Sequence, residues 1–186
     1  MPSLHEPGKP HIFILEPSER ETENAARYTD DPRALSEYAL LVAAVVQVIE
    51  ARSIDAGALS SLESAFRSTH KVVWDAASRY FTLLSHYFPP VLDHFVGLFS
   101  DRSAQIRLRV VQAQWSSQLP EPHLTSLLRR ALHDRAPRVR AFAADRIEQF
   151  ELIELLPDLE HRLREESHQG TREALEHAQN ALRALA

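Results

Sequence analysis

Pairs of alanine or valine recur along this chain in a fixed phase, and that recurrence restricts the fold more than any other feature. Val139 is followed four and five positions later by Ala143 and Ala144, Ile106 by Val110 and Val111, Val72 by Ala76 and Ala77, and Ala39 by Ala43 and Ala44. The origins Ala39, Val72, Ile106 and Val139 are almost equally spaced, with a period of roughly 33 residues. A fifth origin at Thr171, one further period on, keeps Leu175 but has Glu176 where the second small residue should stand, as a terminal unit can. Periods of this size mark stacked helical hairpins, none of which can bury its apolar face alone.

Each period divides into two helices. In the fourth unit Leu124, Leu127, Leu128 and Leu132 mark a helix over Glu121 to His133, and Pro137, suited to a first helical turn, opens a second that runs to Phe150. The third unit reads as Pro90 to Phe99 and Ala104 to Gln118 around the break "SDRSA", the fifth as Leu156 to Glu165 and Thr171 to Leu185 around "SHQG". In the front half the pattern predicts helices near Pro32 to Arg52, Leu59 to Ser68 and His70 to Phe88. No window alternates with period two for long enough to need a sheet, so the fold class is all-α. Units fall near 18–53, 54–88, 89–119, 120–153 and 154–186 of one domain, 18–186. An extended segment, 1–17, precedes them; its "HIFIL" run is apolar enough to dock on the first two units.

An acidic residue stands in each of the last three breaks with an arginine six positions later: Asp101 and Arg107, Asp134 and Arg140, Glu166 and Arg172. A tight break leaves backbone N–H groups unpaired, a carboxylate there can accept from them, and an arginine on the next helix turn can tie that carboxylate to a neighbouring unit. These six residues are expected to form a structural ladder. The order of apolar first helix, acidic break, Val-Arg and paired small residues resembles HEAT repeats over residues 89–186. Over 32–88 the likeness is weaker, with Ala34, Leu40, Arg67 and Val73 at the ladder positions. The resemblance implies a right-handed α-α solenoid of about five hairpins whose second helices line the concave side. It also implies the uses of such solenoids: scaffolds, adaptors, toxin-neutralising immunity proteins and occasional enzymes.

Composition limits the chemistry. None of the 186 residues is cysteine, which excludes disulfides, thiolate metal sites and cysteine nucleophiles. Four glycines form no phosphate-cradling loop, and there is neither a nucleophile elbow nor an HExxH pair. His161 and His168 straddle a helix end with no acidic residue at ligand spacing. No catalytic residue, metal, cofactor or small-molecule substrate is therefore expected. Lys9 and the run Ile12 to Leu15 make too little for a secretory signal, and "YALLVAAVV" from Tyr38 is too short to span a bilayer. The reading is a cytoplasmic chain without a membrane partner.

What remains is a surface. With the buried stripe through the origin, +4 and +8, the opposite side of each second helix lies at +2, +6 and +9. Those positions are Trp74, Ser78 and Phe81 in the second unit, Leu108, Gln112 and Trp115 in the third, and Asp145 and Glu148 in the fourth, with Arg109 at the edge. They form the expected protein-binding face; the basic breaks around Arg102 and Arg135 are the fallback. The main reading is a non-catalytic protein-interaction module of the adaptor, scaffold or immunity type. The alternative is nucleic-acid binding. HEAT-like alkylpurine DNA glycosylases use tryptophan, aspartate and arginine in a basic groove, which Trp74, Asp75, Arg109 and Trp115 could supply. HEAT-like metal hydroxylases are excluded, because the one His-Glu pair, His5-Glu6, lies outside the repeat. Against nucleic acid stands the charge: net -5, with nine basic and four acidic residues over 101–146 but four basic and nine acidic over 147–186.

Overall fold

The computed structural model describes residues 18–115 and 118–185, the side chains of residues 18, 19 and 115 excepted. The segment 1–17 read as extended lies outside the described residues, among which every regular element is helical. The chain divides into two compact units, residues 1–95 and 96–186.

The first unit holds α1 (Ser18–Ala25), α2 (Pro32–Ala51), α3 (Ala56–Arg67), α4 (Lys71–Ser85) and most of α5 (Pro89–Gly97). Helix α2 starts where Asp31 accepts the Arg33 N–H at 2.9 Å with Pro32 in the first turn, and α3 starts where Asp55 accepts the Ala58 N–H at 2.8 Å. Polar α1 left no apolar stripe in the sequence; Ala25 and a hydrogen bond from the Tyr38 hydroxyl to Glu21, 3.0 Å, hold it on α2. The core closes around three phenylalanines. Phe66 meets Phe81 and Phe95 edge-on at centroid distances of 5.7 and 5.6 Å, and Phe81 stacks on Phe95 at 5.0 Å.

Two readings of this half change. Helix α2, at 20 residues, is long and apolar enough to cross a membrane by length and composition, because it continues past both ends of the "YALLVAAVV" run. Its Tyr38, Leu41, Val42, Val45 and Val48 are nevertheless buried where it packs on α1, α3 and α4, the position of a core helix. The buried faces also depart from the repeat phase. In α2 Ala43 is exposed and Ala39 half-buried, so the alanine pair there is not the packing face. In α4 Ala76 and Tyr80 are buried as that phase implies, but Val72 is only half-buried and the neighbouring set Val73, Ala77, Ser78 and Phe81, one residue on, is buried as well. With Val73 as origin, the step to Ile106 equals the step from Ile106 to Val139.

The second unit contains α6 (Ala104–Gln112), α7 (His123–Leu132), α8 (Pro137–Gln149), α9 (Leu156–Glu165) and α10 (Gln169–Arg183), with short 3-10 turns at Leu98–Ser100, Ala113–Trp115 and Ile153–Leu155. Helix α8 packs between α6 and α10, and α7 packs on α9, giving two layers joined by the hairpins α7–α8 and α9–α10. Val110, Val111, Ala143 and Ala144 are fully buried, the small side chains that let second helices approach closely. Helix α6 ends at Gln112, well short of the expected Gln118. Helix α8 ends with Glu151 at φ 53° and the Leu152 N–H bonded to the Ile147 carbonyl at 3.0 Å, the left-handed stop usually built with glycine.

Candidate functional site

Three breaks in the second unit share one construction. Each carboxylate accepts the backbone N–H two residues on: Asp101 from Ser103 and Asp134 from Ala136, both at 2.7 Å, and Glu166 from His168 at 2.9 Å. Each arginine then donates to the carbonyl of the residue six positions earlier, Arg107 to Asp101 and Arg140 to Asp134 at 2.8 Å, and Arg172 to Glu166. The within-unit partner is thus the backbone carbonyl, not the carboxylate that the six-residue spacing suggested. In the last two breaks the carboxylate goes to the preceding unit's arginine. Arg107 grips Asp134 bidentately at 2.6 and 2.9 Å, and Arg140 grips Glu166 at 2.6 and 2.7 Å.

These pairs are ionised and dry. Hydrogen bonds from Arg140 outweigh burial and, with the His168 N–H and Arg162, pull the Glu166 carboxyl down to about 2. For Asp134 burial pushes upward, but the bonds from Arg107 and the Ala136 N–H prevail and hold it below the usual carboxylate range. Glu166 has no exposed side-chain surface and Asp134 only 5%.

Beside the rungs lies an open groove of about 690 Å³. Its floor is two successive breaks, in which Arg102 and Arg135 directly follow Asp101 and Asp134; α7 contributes Arg129 and Arg130, its C-cap His133, and α9 Asp158. Two of its five arginines are matched by carboxylates: Arg107 by Asp134, and Arg129 by Asp158 at 3.1 Å. Arg135 donates instead to the Arg102 carbonyl at 2.6 Å, and Arg130 to the Ser100 hydroxyl at 3.4 Å while its guanidinium covers the Phe99 ring at 5.2 Å. Arg102 is exposed, with no side-chain partner among the described residues. Five arginines and three aspartates leave the lining with two net positive charges when His133 is neutral.

The face expected on the second helices is mostly closed. Phe81 has no exposed surface and Ser78 has 3%, because α4 is buried over a wide arc that takes in both the stripe through Ala76 and Tyr80 and the one beside it. Leu108 and Arg109 are buried within the unbroken buried run Ile106–Val111, so the middle of α6 offers no open face, while its N-terminal Ala104 and Gln105 are exposed. Burial accordingly depresses the Arg109 pKa, and the side chain is not placed to meet phosphate. Trp74 and Gln112 are half-exposed, the former with the Lys71 ammonium 5.8 Å from its ring centroid. Asp145 lies at the surface beside Arg146, and Glu148 pairs with His177 at 3.1 Å. The Trp115 side chain lies outside the described ones. Arg129 and Arg130 were missed: on a helix carrying Leu124, Leu127 and Leu128 they read as its ordinary solvated side. Only the repeated Asp-Arg dipeptide, Asp101-Arg102 and Asp134-Arg135, pointed to this place.

Helices in two layers, tied by arginines that bridge successive breaks, define a helical-repeat protein. Residues 92–180 match the family model for HEAT repeats, and over that span the chain is similar to HEAT-repeat proteins. No curated protein matches the chain.

Proposed function

We propose that the chain is a non-catalytic protein-interaction module, an adaptor, scaffold or toxin-neutralising immunity-type protein, that holds a partner protein on the groove beside the rungs. HEAT repeats commonly mediate protein interactions. The observation that carries the reading is the groove itself: Arg102 and Arg130 have no carboxylate partner among the described residues, and Arg135 has only the attraction of Asp134 beyond ion-pair distance. The parts of the second-helix face still open to solvent, Trp74, Gln112, Asp145 and Glu148, are the secondary contact candidates. A right-handed solenoid of about five hairpins over 18–186 and a cytoplasmic location belong to the same proposal, the latter supported by the absence of cysteine.

The test is capture of partners from an extract of the source cells by the immobilised chain, in parallel with titration of labelled duplex DNA across a salt series. The expected result is one reproducible protein, lost on Arg102→Glu/Arg135→Glu, and only weak DNA binding. Tight, steeply salt-dependent DNA binding with no captured protein would reverse it.

A further inference from the structure

We infer that the occupant of this groove is an acidic peptide segment, an extended stretch of a partner protein carrying several Asp or Glu side chains. The inference rests on the reading of the chain as a protein-interaction module and names the chemistry of the partner.

The donors come first. A guanidinium offers five N–H groups in a planar fork that fits a carboxylate bidentately. Arg135 commits one of its hydrogen bonds to the Arg102 carbonyl and Arg130 one to the Ser100 hydroxyl, both uncharged acceptors. All three residues are exposed, and their side chains make no further hydrogen bond among the described residues, although the Arg130 guanidinium also lies over the Phe99 ring. The rungs show what this unit does with such a fork when a carboxylate is in reach: Arg107 and Arg140 both take one bidentately.

The backbone that carries the arginines is braced. The Arg102 break is held by Asp101 bonding the Ser103 N–H, the Arg135 break by Asp134 bonding the Ala136 N–H, and the Arg135 side chain joins the two breaks. A ligand therefore has only side chains to order, Arg102 above all, and not the breaks themselves, which favours a short segment.

The other anionic occupants fit less well. A nucleic acid needs many cations along its backbone, and this chain carries a net charge of -5 with three carboxylates in the groove lining itself. A single-stranded one would also need a bare aromatic face, whereas Phe99 is 6% exposed and covered by Arg130. Inorganic phosphate or a small metabolite would be held by one enclosed constellation, and this groove is open and spreads its arginines over two breaks and a helix end. An extended chain with carboxylates on successive side chains can reach all three.

The probe is a fluorescein-labelled octapeptide of alternating Asp and Glu, titrated against the full chain by anisotropy, beside the matching Asn/Gln octapeptide, inorganic phosphate as competitor and a labelled DNA duplex. The expected outcome is saturable binding of the acidic peptide, at least tenfold tighter than the amide peptide and weakening by about tenfold between about 50 and 200 mM salt. Arg102→Glu/Arg135→Glu, both on the exposed breaks, should reduce that binding at least tenfold with the helical signal intact; Arg102→Gln/Arg135→Gln should reduce it less, and Arg164→Glu on α9 should leave it unchanged. Equal binding of the acidic and amide peptides, no effect of the double reversal, competition by millimolar phosphate, or tighter binding of the duplex would each overturn the inference. If the chain captures a protein partner through the groove yet ignores the acidic peptide, the inference falls and the interaction reading stands. If neither occurs, both fall.

Discussion

Replacing Arg140 by alanine tests whether the rungs hold the second unit together. The substitution removes the bonds at 2.6 and 2.7 Å to Glu166 and the one at 2.8 Å to the Asp134 carbonyl. It leaves a carboxylate with no exposed surface. Stripping one partner from a buried ion pair costs roughly 3–5 kcal/mol. Here Arg162, at 3.1 Å, and the His168 N–H, at 2.9 Å, stay on Glu166 and should reduce the loss to about 2–4 kcal/mol. With a urea slope of roughly 1–3 kcal/mol/M, the unfolding midpoint followed by circular dichroism should fall by about 1–2 M at pH 7. Exposed Arg164 replaced by alanine is the control and should change little. Acid adds a second reading. The Glu166 carboxyl sits at about 2 against an ordinary 4.5, so its contribution is complete above pH 4.5 and is lost as pH falls through about 2. Without Arg140 the carboxyl titrates higher, so the gap between wild type and variant should narrow from pH 7 to pH 3. An unchanged midpoint at pH 7, or a gap constant with pH, would refute the assignment of this stability to the rung.

Phe81→Ala should unfold or severely destabilise the first unit, by roughly 3–5 kcal/mol, through loss of its contacts with Phe66 and Phe95; a stable variant in a thermal melt would return Phe81 to the surface. Glu151→Gly, at φ 53°, should raise the urea midpoint by the equivalent of about 0.5–1 kcal/mol, since glycine adopts that backbone without strain. Gly97→Ala in α5, where an added methyl meets nothing within 4 Å, should also stabilise, by about 0.5–1 kcal/mol, as measured by the same denaturation curves.

The back half of the chain was legible because its signals are local and agree. Pro137 in a first helical turn, the Leu124, Leu127 and Leu128 stripe and the acidic breaks each pointed to the same hairpins, and helices α7 and α8 differ from the expected ones mainly by a residue or two at their ends. The front half misled through phase. A pair of alanines is found on exposed helix faces as readily as on packed ones, so Ala43 and Ala44 imitated an interface that α2 makes instead with Tyr38, Leu41 and Val45. In α4 the stripe through Ala76 and Tyr80 is buried as expected, but the helix is packed on a wider arc that also buries Ser78 and Phe81, which the period alone placed on the open side. Their chemistry carried a clue. A phenylalanine in contact with two others is a core residue, but that contact joins α3, α4 and α5 and cannot be read along any one of them.

The groove follows from a division of labour inside one dipeptide. In Asp101-Arg102 and Asp134-Arg135 the aspartate caps its break, and Asp134 also receives the preceding unit's arginine, so both carboxylates are absorbed by the fold. The arginine that follows finds a backbone carbonyl in the case of Arg135 and, among the described residues, no partner for its side chain in the case of Arg102. The third break has the same acidic cap in Glu166 but Ser167 in the next position, and there the basic floor stops. A rung needs an acid in the break and the preceding unit's arginine, as Glu166 and Arg140 demonstrate with Ser167 next in line, so no rung uses the charge of Arg102 or Arg135, although the Arg135 side chain ties its break to the Arg102 carbonyl. Their positive charge is surplus to the architecture. A surplus that repeats in register on two adjacent breaks, and ends at the third, where Ser167 takes the arginine's place, is what a binding surface for a negatively charged partner requires.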